Sequence, residues 1–298
     1  MPIIDLLASS PVTFVGASVV LGLAVGSFLN VVIYRLPIML ERQWRQQCAE
    51  LNITASHAQT VPSLPRERFD LVQPRSTCPK CKAPITAWQN IPLFSWAFLG
   101  GRCARCGQRI SVRYPLVEAL TGLLTGALAW RYGFGWIAFA GMVLTWYLIA
   151  LTFIDVDHQL LPDTLTLPLL WLGLLLALWS PPNPVDLRSS VLGAVIGYVS
   201  LWGVYHAFRL LTGKEGMGYG DFKLFAALGA WLGWQMLIPI ILVAAVTGSV
   251  VGIAMLSLHG KNRSTPIPFG PFLASAGWLV TIIGQEPVAR QFGFVVAH

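Results

Sequence analysis

The chain has 298 residues, of which 55% are hydrophobic and only 11% are charged, with a net charge of +7. Soluble domains usually carry about 25% charged residues, so this composition excludes an ordinary soluble domain. A basic chain can bind nucleic acid, but twelve of the twenty Lys and Arg residues lie in one block between Arg35 and Arg113. In a membrane protein such a block marks the cytoplasmic side, so we expect no nucleic-acid partner.

Long uncharged stretches predict helices that cross a lipid bilayer. The first, from Leu6 to Tyr34, lacks the basic start of a signal peptide and is too long for one, so we expect it to be retained. Three more, beginning at Trp136, Thr164 and Leu224, also exceed the roughly 18 residues of a spanning helix. We predict an all-α polytopic membrane protein with about eight transmembrane helices, at 11–34, 115–131, 136–154, 164–180, 189–210, 222–234, 237–257 and 269–284.

The basic block sets the expected topology. If Arg35–Arg113 lies inside, the eight spans leave both termini outside. The uncharged stretch that begins at Leu224 has basic residues before and after it that prefer the inside, so the chain must cross an even number of times there. We therefore divide it near Trp234. The first half, 222–234, is short for a span, and whether it crosses fully stays open.

The cytoplasmic block contains two closely spaced cysteine pairs. Cys78-Pro-Lys-Cys81 and Cys103-Ala-Arg-Cys106 each place two thiols on one turn, and two such turns complete a tetrahedral zinc site. The loop faces the reducing cytosol, which disfavours disulfides. Four thiolates leave no open coordination position, so we expect structural zinc, with a redox dithiol or no metal as the alternatives. We expect residues 43–74 to be irregular and see no internal repeat.

Two acidic segments lie at the same ends of distant spans. Asp155 closes the third span and Asp221 opens the sixth, and both ends are predicted on the cytoplasmic side. Acids at the ends of apolar helices need a reason, because charge is costly in a membrane. Two close carboxylates cannot both ionise easily and share one proton. The ionised member can then activate water, while the protonated member hydrogen-bonds a peptide carbonyl and later helps the amine depart.

Alternatives remain open for each acid. Asp157 rivals Asp155 for the catalytic role, Asp163 has the position of a helix N-cap, and Asp221 would be favoured in a first helical turn for structural reasons alone. The glycines before Asp221 are Gly216, Gly218 and Gly220. We expect Gly218 and Gly220 to support the catalytic loop, by leaving room for an extended peptide and by allowing dihedrals closed to other residues.

These motifs resemble those of the bacterial type IV prepilin peptidases, bifunctional leader peptidase/N-methyltransferases of the Gly-x-Gly-Asp type. The resemblance covers almost the whole chain, and the order of the motifs makes it specific. Its segments are Gly26-Ser-Phe-Leu-Asn30-Val-Val, the four cysteines, Arg113-Tyr-Pro-Leu-Val-Glu118, Asp155 to Asp163, Gly218-Tyr-Gly-Asp221 and Pro266-Ile-Pro-Phe-Gly-Pro271.

The resemblance implies a function that spacing does not. Such enzymes remove the short basic leader of prepilins and pseudopilins, after a Gly and usually before a Phe, and methylate the new N-terminus with S-adenosylmethionine. Their catalytic aspartates fall on Asp155 and Asp221, which selects Asp155 over Asp157. Residues before the second cysteine pair bear on methylation, here Gly101 and Arg102, although a simple turn into the zinc knuckle explains them as well.

The resemblance also implies a place in the cell and a division of the chain. We expect a multi-pass protein of the bacterial inner membrane, serving type IV pili or type II secretion, with periplasmic termini and a cytoplasmic active site and zinc loop. The expected domains are the first transmembrane helix (1–34), a cytoplasmic loop domain with the four-cysteine zinc site (35–113) and a transmembrane peptidase core (114–298).

Two other classes of function stay as alternatives. Intramembrane acids also relay protons in transporters, but here the acids cluster at one surface. A non-catalytic assembly subunit could dock partners on the zinc module, but this leaves the Gly-x-Gly-Asp loop without a purpose. Glu118, about one turn inside the second span, either contacts the substrate or pairs with a buried Arg.

Overall fold

The structure is a computed structural model that describes residues 2–55, 68–78, 80–86, 92–179, 185–259 and 267–293. Within these ranges the chain is helical, with isolated bridges in place of strands. The helices are α1 (Pro2–Ser9), α2 (Pro11–Ala55), α3 (Phe94–Phe98), α4 (Arg113–Tyr132), α5 (Trp136–His158), α6 (Asp163–Trp179), α7 (Leu187–Thr212), α8 (Tyr219–Leu232), α9 (Leu237–His259), α10 (Gly270–Ile283) and α11 (Gln285–Gln291).

The longer helices confirm the predicted fold class. Each of the eight predicted spans coincides with one of α2 and α4 to α10. Four segments of the described chain are long and apolar enough to cross a membrane: Pro11–Leu51, Trp136–His158, Leu187–Thr212 and Trp234–Met255. The apolar helices α6 and α10 are shorter. Large apolar side chains on α7 and α9, such as Val199 and Val246, are exposed and suit contact with lipid.

The division near Trp234 is also confirmed. Gly233 has φ of 81° and ends α8, and a 3₁₀ turn at Trp234–Met236 leads into α9. Glycine tolerates this left-handed backbone, which explains why the long apolar stretch breaks here. With 14 residues, α8 is about 21 Å long, less than the roughly 30 Å of a hydrocarbon core.

The first long helix runs further than predicted. We expected its span to end at residue 34 and residues 43–74 to be irregular, but α2 continues to Ala55. The residues after Arg35 are rich in Leu, Glu, Gln, Arg and Ala, which are strong helix formers, and Arg45 pairs with Glu41 one turn before it at 2.6 Å. The expectation was therefore wrong for 43–55, while 56–67 lies outside the described residues.

The described chain forms two compact units, Met1–Val15 with Ala127–His298, and Gly16–Gly126. In the second unit α2 and α4 approach closely through small residues. A Cβ on Gly22 would lie 2.7 Å from Thr125 Oγ1, and one on Gly26 would lie 2.8 Å from the Glu118 Cα. Asn30 Nδ2 donates to the Tyr114 carbonyl at 3.0 Å, a hydrogen bond between α2 and α4.

Residues 68–74 are hydrogen-bonded to α2. Arg35 is 7% exposed and donates to the carbonyls of Asp70 (2.8 Å) and Pro74 (2.6 Å). Asp70 Oδ1 accepts the N–H groups of Val72 and Gln73, and these bonds lower the pKa of Asp70. Residues 68–74 are thus an ordered turn, where we had expected only irregular chain.

In the other unit, α8 lies among α6, α7, α9 and α10 and is largely buried. It meets α7 backbone to backbone, because a Cβ on Gly193 would lie only 2.1 Å from the Gly229 carbonyl oxygen. On another side Trp231 Nε1 donates to the Leu169 carbonyl of α6 at 2.7 Å. The packing of α8 fixes the position of its first turn, which carries Asp221.

The three-part division predicted at residues 34 and 113 stays a prediction. Compactness of packing depends on how closely helices approach, whereas the predicted division depends on the membrane side of each segment.

Candidate active site and metal centre

Asp155 lies in the last turn of α5 and is only 5% exposed. The helix ends just beyond it, at Gln159, which has a left-handed backbone and whose N–H returns to the Asp155 carbonyl at 2.8 Å. Its Oδ2 accepts a hydrogen bond from the N–H of Gly270, the first residue of α10, at 3.0 Å. A buried carboxylate thus closes one helix and meets the start of another.

Asp221 lies in the first turn of α8 and is 7% exposed. Its backbone N–H bonds to the Gly218 carbonyl at 3.2 Å. Its Oδ1 is fully buried and has no hydrogen-bond partner. Buried polar atoms are nearly always satisfied in folded proteins, so an unsatisfied carboxyl oxygen marks a position with a functional reason.

The structure brings the two predicted aspartates together. The carboxyl group of Asp155 lies within electrostatic range of Asp221. Leu161, in the turn between α5 and α6, fills the space around them: it faces Gly220 on α8 and Gly270 on α10. Two carboxyl groups from segments 66 residues apart thus share one buried position beside the ends of three helices.

The rival acids are placed differently. Asp157, two residues after Asp155, is exposed. Asp163 is the first residue of α6 rather than the residue before it, and its Oδ1 pairs with Lys223 Nζ at 2.6 Å. This pair joins the starts of α6 and α8 next to Asp221. The position of Lys223, two residues after Asp221, is a signal that the sequence reasoning passed over.

Of the glycines before Asp221, Gly216 and Gly220 serve close packing rather than unusual dihedrals. Gly218 has φ of −83°, and Gly216 and Gly220 do not have a positive φ either. Our expectation of backbone angles closed to other residues was therefore wrong. A Cβ on Gly220 would instead lie 2.6 Å from the Leu161 Cβ, and one on Gly216 would lie 2.9 Å from the Phe208 ring. A Cβ on Gly218 would be 3.8 Å from Asp221 Oδ2.

Gly270 is a site residue to which the sequence reasoning gave no role. A Cβ at this position would lie 2.6 Å from Asp155 Oδ2, closer than real Cβ atoms approach other atoms. The signal was present in the Pro-Ile-Pro-Phe-Gly-Pro run, which we used only for the family resemblance. A proline-bounded glycine at the start of an apolar helix is suited to bring backbone close to another group.

The four predicted cysteines form one cluster in the Gly16–Gly126 unit. All four Sγ atoms lie within 4.8 Å of one another, and those of Cys78 and Cys106 are 3.7 Å apart. Disulfide sulfurs are about 2.05 Å apart, so the thiols are not paired. Tetrahedral zinc with Zn–S bonds of about 2.3 Å separates its sulfurs by about 3.8 Å. The donor set therefore fits a tetrahedral metal ion.

The cluster is built from two equivalent turns, as the spacing of the cysteine pairs predicts. Cys78 N–H bonds to the Ala83 carbonyl at 2.9 Å, and Cys103 N–H bonds to the Gln108 carbonyl at 2.8 Å. The bridges Thr77↔Pro84 and Arg102↔Arg109 recur with the same offset of 25 residues. Apart from the cysteines, residues 77–84 and 102–109 differ at every matched position, so the two turns resemble each other only in their backbone.

Each turn also favours the thiolate form of its first cysteine. Backbone N–H groups of Cys81 and Lys80 lower the pKa of Cys78 to about 6. The N–H groups of Cys106 and Arg105 likewise lower the pKa of Cys103. Thiolate is the form that binds metal, so the backbone prepares the first sulfur of each pair as a ligand. The Gln108 backbone hydrogen bond lowers the pKa of Cys106, but desolvation and the neighbouring thiols outweigh it and raise that pKa to about 11.

The residues predicted for methyl transfer lie in this same unit. Gly101 has φ of 65° and is buried against the Trp96 ring, and its N–H bonds to the Trp96 carbonyl at 2.8 Å. Arg102 follows in the turn and is exposed. The segment is thus a tight turn that leads into the second cysteine pair and presents one guanidinium to solvent.

Glu118 has no ion pair with a buried Arg among the described residues, and its contact with the substrate stays a prediction. It is 9% exposed, and its Oε2 accepts the N–H of Leu93, the residue before α3, at 2.9 Å. The Ser27 hydroxyl also hydrogen-bonds it. The carboxylate therefore caps a short helix and ties it to α2 and α4.

A cavity in the unit that holds the aspartates does not include them. It has a volume of about 380 Å³ and is lined by residues at the opposite ends of α5, α8 and α10, among them Trp136, Leu232 and Thr281. The acid in its lining, Glu286, is exposed, so this cavity has no buried carboxyl pair. The buried carboxyl pair is the stronger candidate for a reaction site.

Comparisons with known proteins match both halves of the chain. Residues 20–132 match the bacterial peptidase A24 N-terminal domain, and residues 142–253 match the type IV leader peptidase family. No solved structure matches the chain.

The matched curated relatives extend over the full length. A prepilin leader peptidase/N-methyltransferase of Stutzerimonas stutzeri is 52% identical over 98% of both chains. A protein of the same name from Pseudomonas aeruginosa is 50% identical over 96% of both chains. Another from Neisseria gonorrhoeae is 50% identical over 99% of this chain and 98% of the relative. The chain belongs to the type IV leader peptidase family.

Proposed function

We infer that this protein is an inner-membrane aspartic endopeptidase that removes the short basic leader of prepilins and pseudopilins and then methylates the new N-terminus. The buried pair of Asp155 and Asp221 is the observation that carries the peptidase assignment. Relatives over the whole chain bear the name prepilin leader peptidase/N-methyltransferase, which supports both activities. Cleavage after Gly and before Phe follows from the resemblance.

We propose Asp155 and Asp221 as the catalytic residues. The buried pair shares one proton, because two adjacent charges in a place of low dielectric are costly. The ionised carboxylate takes a proton from water as the oxygen attacks the scissile carbonyl carbon. The protonated carboxyl hydrogen-bonds the carbonyl oxygen and neutralises the charge that develops there. A proton from the pair then reaches the leaving nitrogen as the C–N bond breaks, so water is added across the peptide bond.

Burial distinguishes these acids from the others nearby. Asp157 is exposed and Asp163 is held by Lys223, so neither shares the environment of the pair. Among the described residues of α5 to α10, the buried acids are Asp155 and Asp221 alone, and both lie at one end of their helices. A proton-conducting transporter would place acids at several depths, so this arrangement favours hydrolysis.

We propose that this end of the helices faces the cytoplasm, where the basic leader is held before cleavage. The block of basic residues between Arg35 and Arg113 supports this side, and both termini then lie in the periplasm. Gly218 and Gly220 support the loop that carries Asp221. The missing side chain of Gly220 lets α8 approach the Leu161 turn, and Gly218 lies beside Asp221 Oδ2. We assign Glu118 a structural role as the cap of α3, and its substrate contact stays a prediction.

We propose structural zinc at Cys78, Cys81, Cys103 and Cys106. The sulfur spacing suits a tetrahedral ion, and four thiolates leave no position for water or substrate. The metal would hold the two equivalent turns together and thereby fix the Gly101–Arg102 turn between them and α3.

We propose S-adenosylmethionine as the donor, which supplies an activated methyl group to the new N-terminal amine. Arg102 is the candidate contact, since its exposed guanidinium can bind a carboxylate such as that of the donor. Gly101 shapes the turn, because a side chain there would meet the Trp96 ring.

The test uses the purified protein in detergent with a prepilin-like peptide and labelled methyl donor. Wild type should release the leader and label the product, and Asp155→Asn and Asp221→Asn should each lose cleavage by about a hundredfold or more. Full cleavage by both variants would contradict the peptidase mechanism. Arg102→Ala should cleave normally but methylate poorly when given a pre-cleaved peptide, and normal methylation would remove its role.

A further inference from the structure

The Pro-Ile-Pro-Phe-Gly-Pro run is the one motif that the proposed reaction leaves without a role. Its described part, 267–271, leads into α10, and Gly270 there is the first helical residue. The first N–H groups of a helix have no intrahelical acceptor and carry the positive end of the helix dipole. The N–H of Gly270 instead donates to Asp155 Oδ2 at 3.0 Å within the protein interior. This end of α10 is thus occupied by a carboxylate.

The second aspartate is less fully satisfied. The backbone of Gly218 hydrogen-bonds the Asp221 carboxyl group, but Asp221 Oδ1 is buried without a hydrogen-bond partner. A carboxylate oxygen buried without a hydrogen bond is much costlier than a neutral one. The pair is therefore unequal, because Asp155 accepts a 3.0 Å hydrogen bond from a helix N-terminus, whereas charged Asp221 would keep one buried oxygen without a hydrogen bond.

We propose that Gly270 is a positioning residue that holds the Asp155 carboxylate and keeps the negative charge of the pair on it, so that Asp221 carries the shared proton. This inference rests on the proposed peptidase function. Asp155 then takes the proton of the attacking water, and Asp221 gives its proton to the carbonyl oxygen. When the C–N bond breaks, Asp155 returns a proton to the nitrogen and Asp221 regains one from the tetrahedral hydroxyl, which restores the starting state.

Only glycine suits this position. A Cβ on residue 270 would lie 2.6 Å from Asp155 Oδ2 and 3.2 Å from both the Asp155 Cγ and the Leu161 Cδ1. The Gly270→Ala substitution therefore pushes the carboxylate away from the N–H that holds it. The substitution Gly277→Ala is a matched control on the same helix, because its Cβ would crowd the Leu228 side chain at 2.5 Å without approaching Asp155.

Few other charges act on Asp155. Its helix packs against α6 and α10. Of these, α10 has no charged residue and α6 has Asp163, which is paired with Lys223. Asp157 and His158 on α5 itself are exposed, and Asp221 faces it from α8. A change in the pH dependence of cleavage on altering Gly270 therefore reports on the aspartate pair.

The experiment measures kcat and KM for a prepilin-like peptide across pH, using the full-length protein in detergent. Wild type should give a bell-shaped dependence of kcat on pH. Its acidic limb reports the first ionisation of the pair, and its basic limb reports the second. The Gly270 N–H stabilises charged Asp155, so its loss makes the first ionisation harder. In Gly270→Ala the acidic limb should move to higher pH by about one unit, while the basic limb stays, because Asp155 is charged on both sides of that second step.

The remaining readouts separate positioning from general damage. In Gly270→Ala kcat should fall by about a hundredfold with little change in KM, while Gly277→Ala should lose thermal stability but keep both limbs. If Gly270→Ala folds poorly, adding Leu161→Ala relieves the crowding against that side chain, and the acidic limb should still be displaced.

Movement of the basic limb alone would assign the proton to Asp155, and unchanged limbs would remove the role of Gly270. Absence of cleavage by wild type would refute the proposed function instead.

Discussion

The contact between α7 and α8 leads to a sharp prediction about stability. A Cβ on Gly193 would lie 2.1 Å from the Gly229 carbonyl oxygen and 2.6 Å from its carbonyl carbon, whereas real Cβ atoms stay beyond about 3.0 Å. Both partners are backbone, so Gly193→Ala forces the two helices apart. Overpacking usually costs about 1–3 kcal/mol, and the absence of any flexible neighbour places this substitution at about 3 kcal/mol.

The same helix offers a matched control. Gly203 also lies within α7, but a Cβ there would meet nothing within 4 Å. Gly203→Ala should therefore be neutral or should stabilise the protein by up to about 1 kcal/mol, because alanine is the better helix former. The two chemically identical substitutions are expected to differ by about 3–4 kcal/mol.

The assay is equilibrium unfolding of the purified protein in mixed micelles, followed by tryptophan fluorescence and circular dichroism. Cleavage of a prepilin-like peptide by the folded fraction is measured in parallel, because α8 carries Asp221 at its other end. We expect Gly193→Ala to lose both stability and activity and Gly203→Ala to keep both. Equal stability of the two variants would refute the close packing of α7 on α8.

Two further predictions concern pairs of groups outside the apolar core. Removing the ion pair between Asp163 and Lys223 by Lys223→Met should cost no more than about 1 kcal/mol, because the Asp163 side chain is 56% exposed. A double-mutant cycle with Asp163→Asn measures their coupling, and additive effects would show that the pair contributes nothing. In Cys78→Ser the zinc content measured by elemental analysis should fall from one ion per chain to none, whereas Cys48→Ser should keep it. Retention of zinc by Cys78→Ser would contradict the four-cysteine site.

Much of the fold follows from the sequence because the membrane imposes simple rules. Apolar length and the absence of charge locate helices well, and the even-crossing argument placed the break near Trp234 where Gly233 ends α8. The end of α2 was missed because its span ends near Arg35 while the helix does not. Hydropathy reports where a helix leaves the bilayer, whereas helix propensity decides where the helix itself ends.

The charged residues of the site could be predicted from the sequence, but its backbone hydrogen bond could not. Asp155 and Asp221 are conspicuous because acids are rare at the ends of apolar helices. The choice of Asp155 over Asp157 needed the family resemblance, although burial separates the two at once in the structure. The hydrogen bond from Gly270 could not be foreseen, because a backbone N–H leaves no mark in sequence and its partner lies 115 residues away.

The cysteine module shows the same limit in another form. The spacing of the cysteines predicts that their sulfurs meet, and they do. The two turns around Cys78 and Cys103 share their hydrogen bonds but few side chains, so residue types other than the cysteines do not reveal their likeness. Such turns are specified by backbone geometry, here a positive φ at one position. Gly107 has it in the second turn, and Lys82 has it in the first, with φ of 56°.

The central claim is that burial as a pair, rather than acidity alone, makes two of the neighbouring aspartates catalytic. The most direct measurement compares single-turnover cleavage of a prepilin-like peptide by Asp155→Asn and Asp157→Asn, two conservative changes two residues apart. We expect Asp155→Asn to lose cleavage by about a hundredfold or more and Asp157→Asn, at the exposed position, to stay near wild type. Loss of cleavage in Asp157→Asn with activity retained in Asp155→Asn would contradict the account.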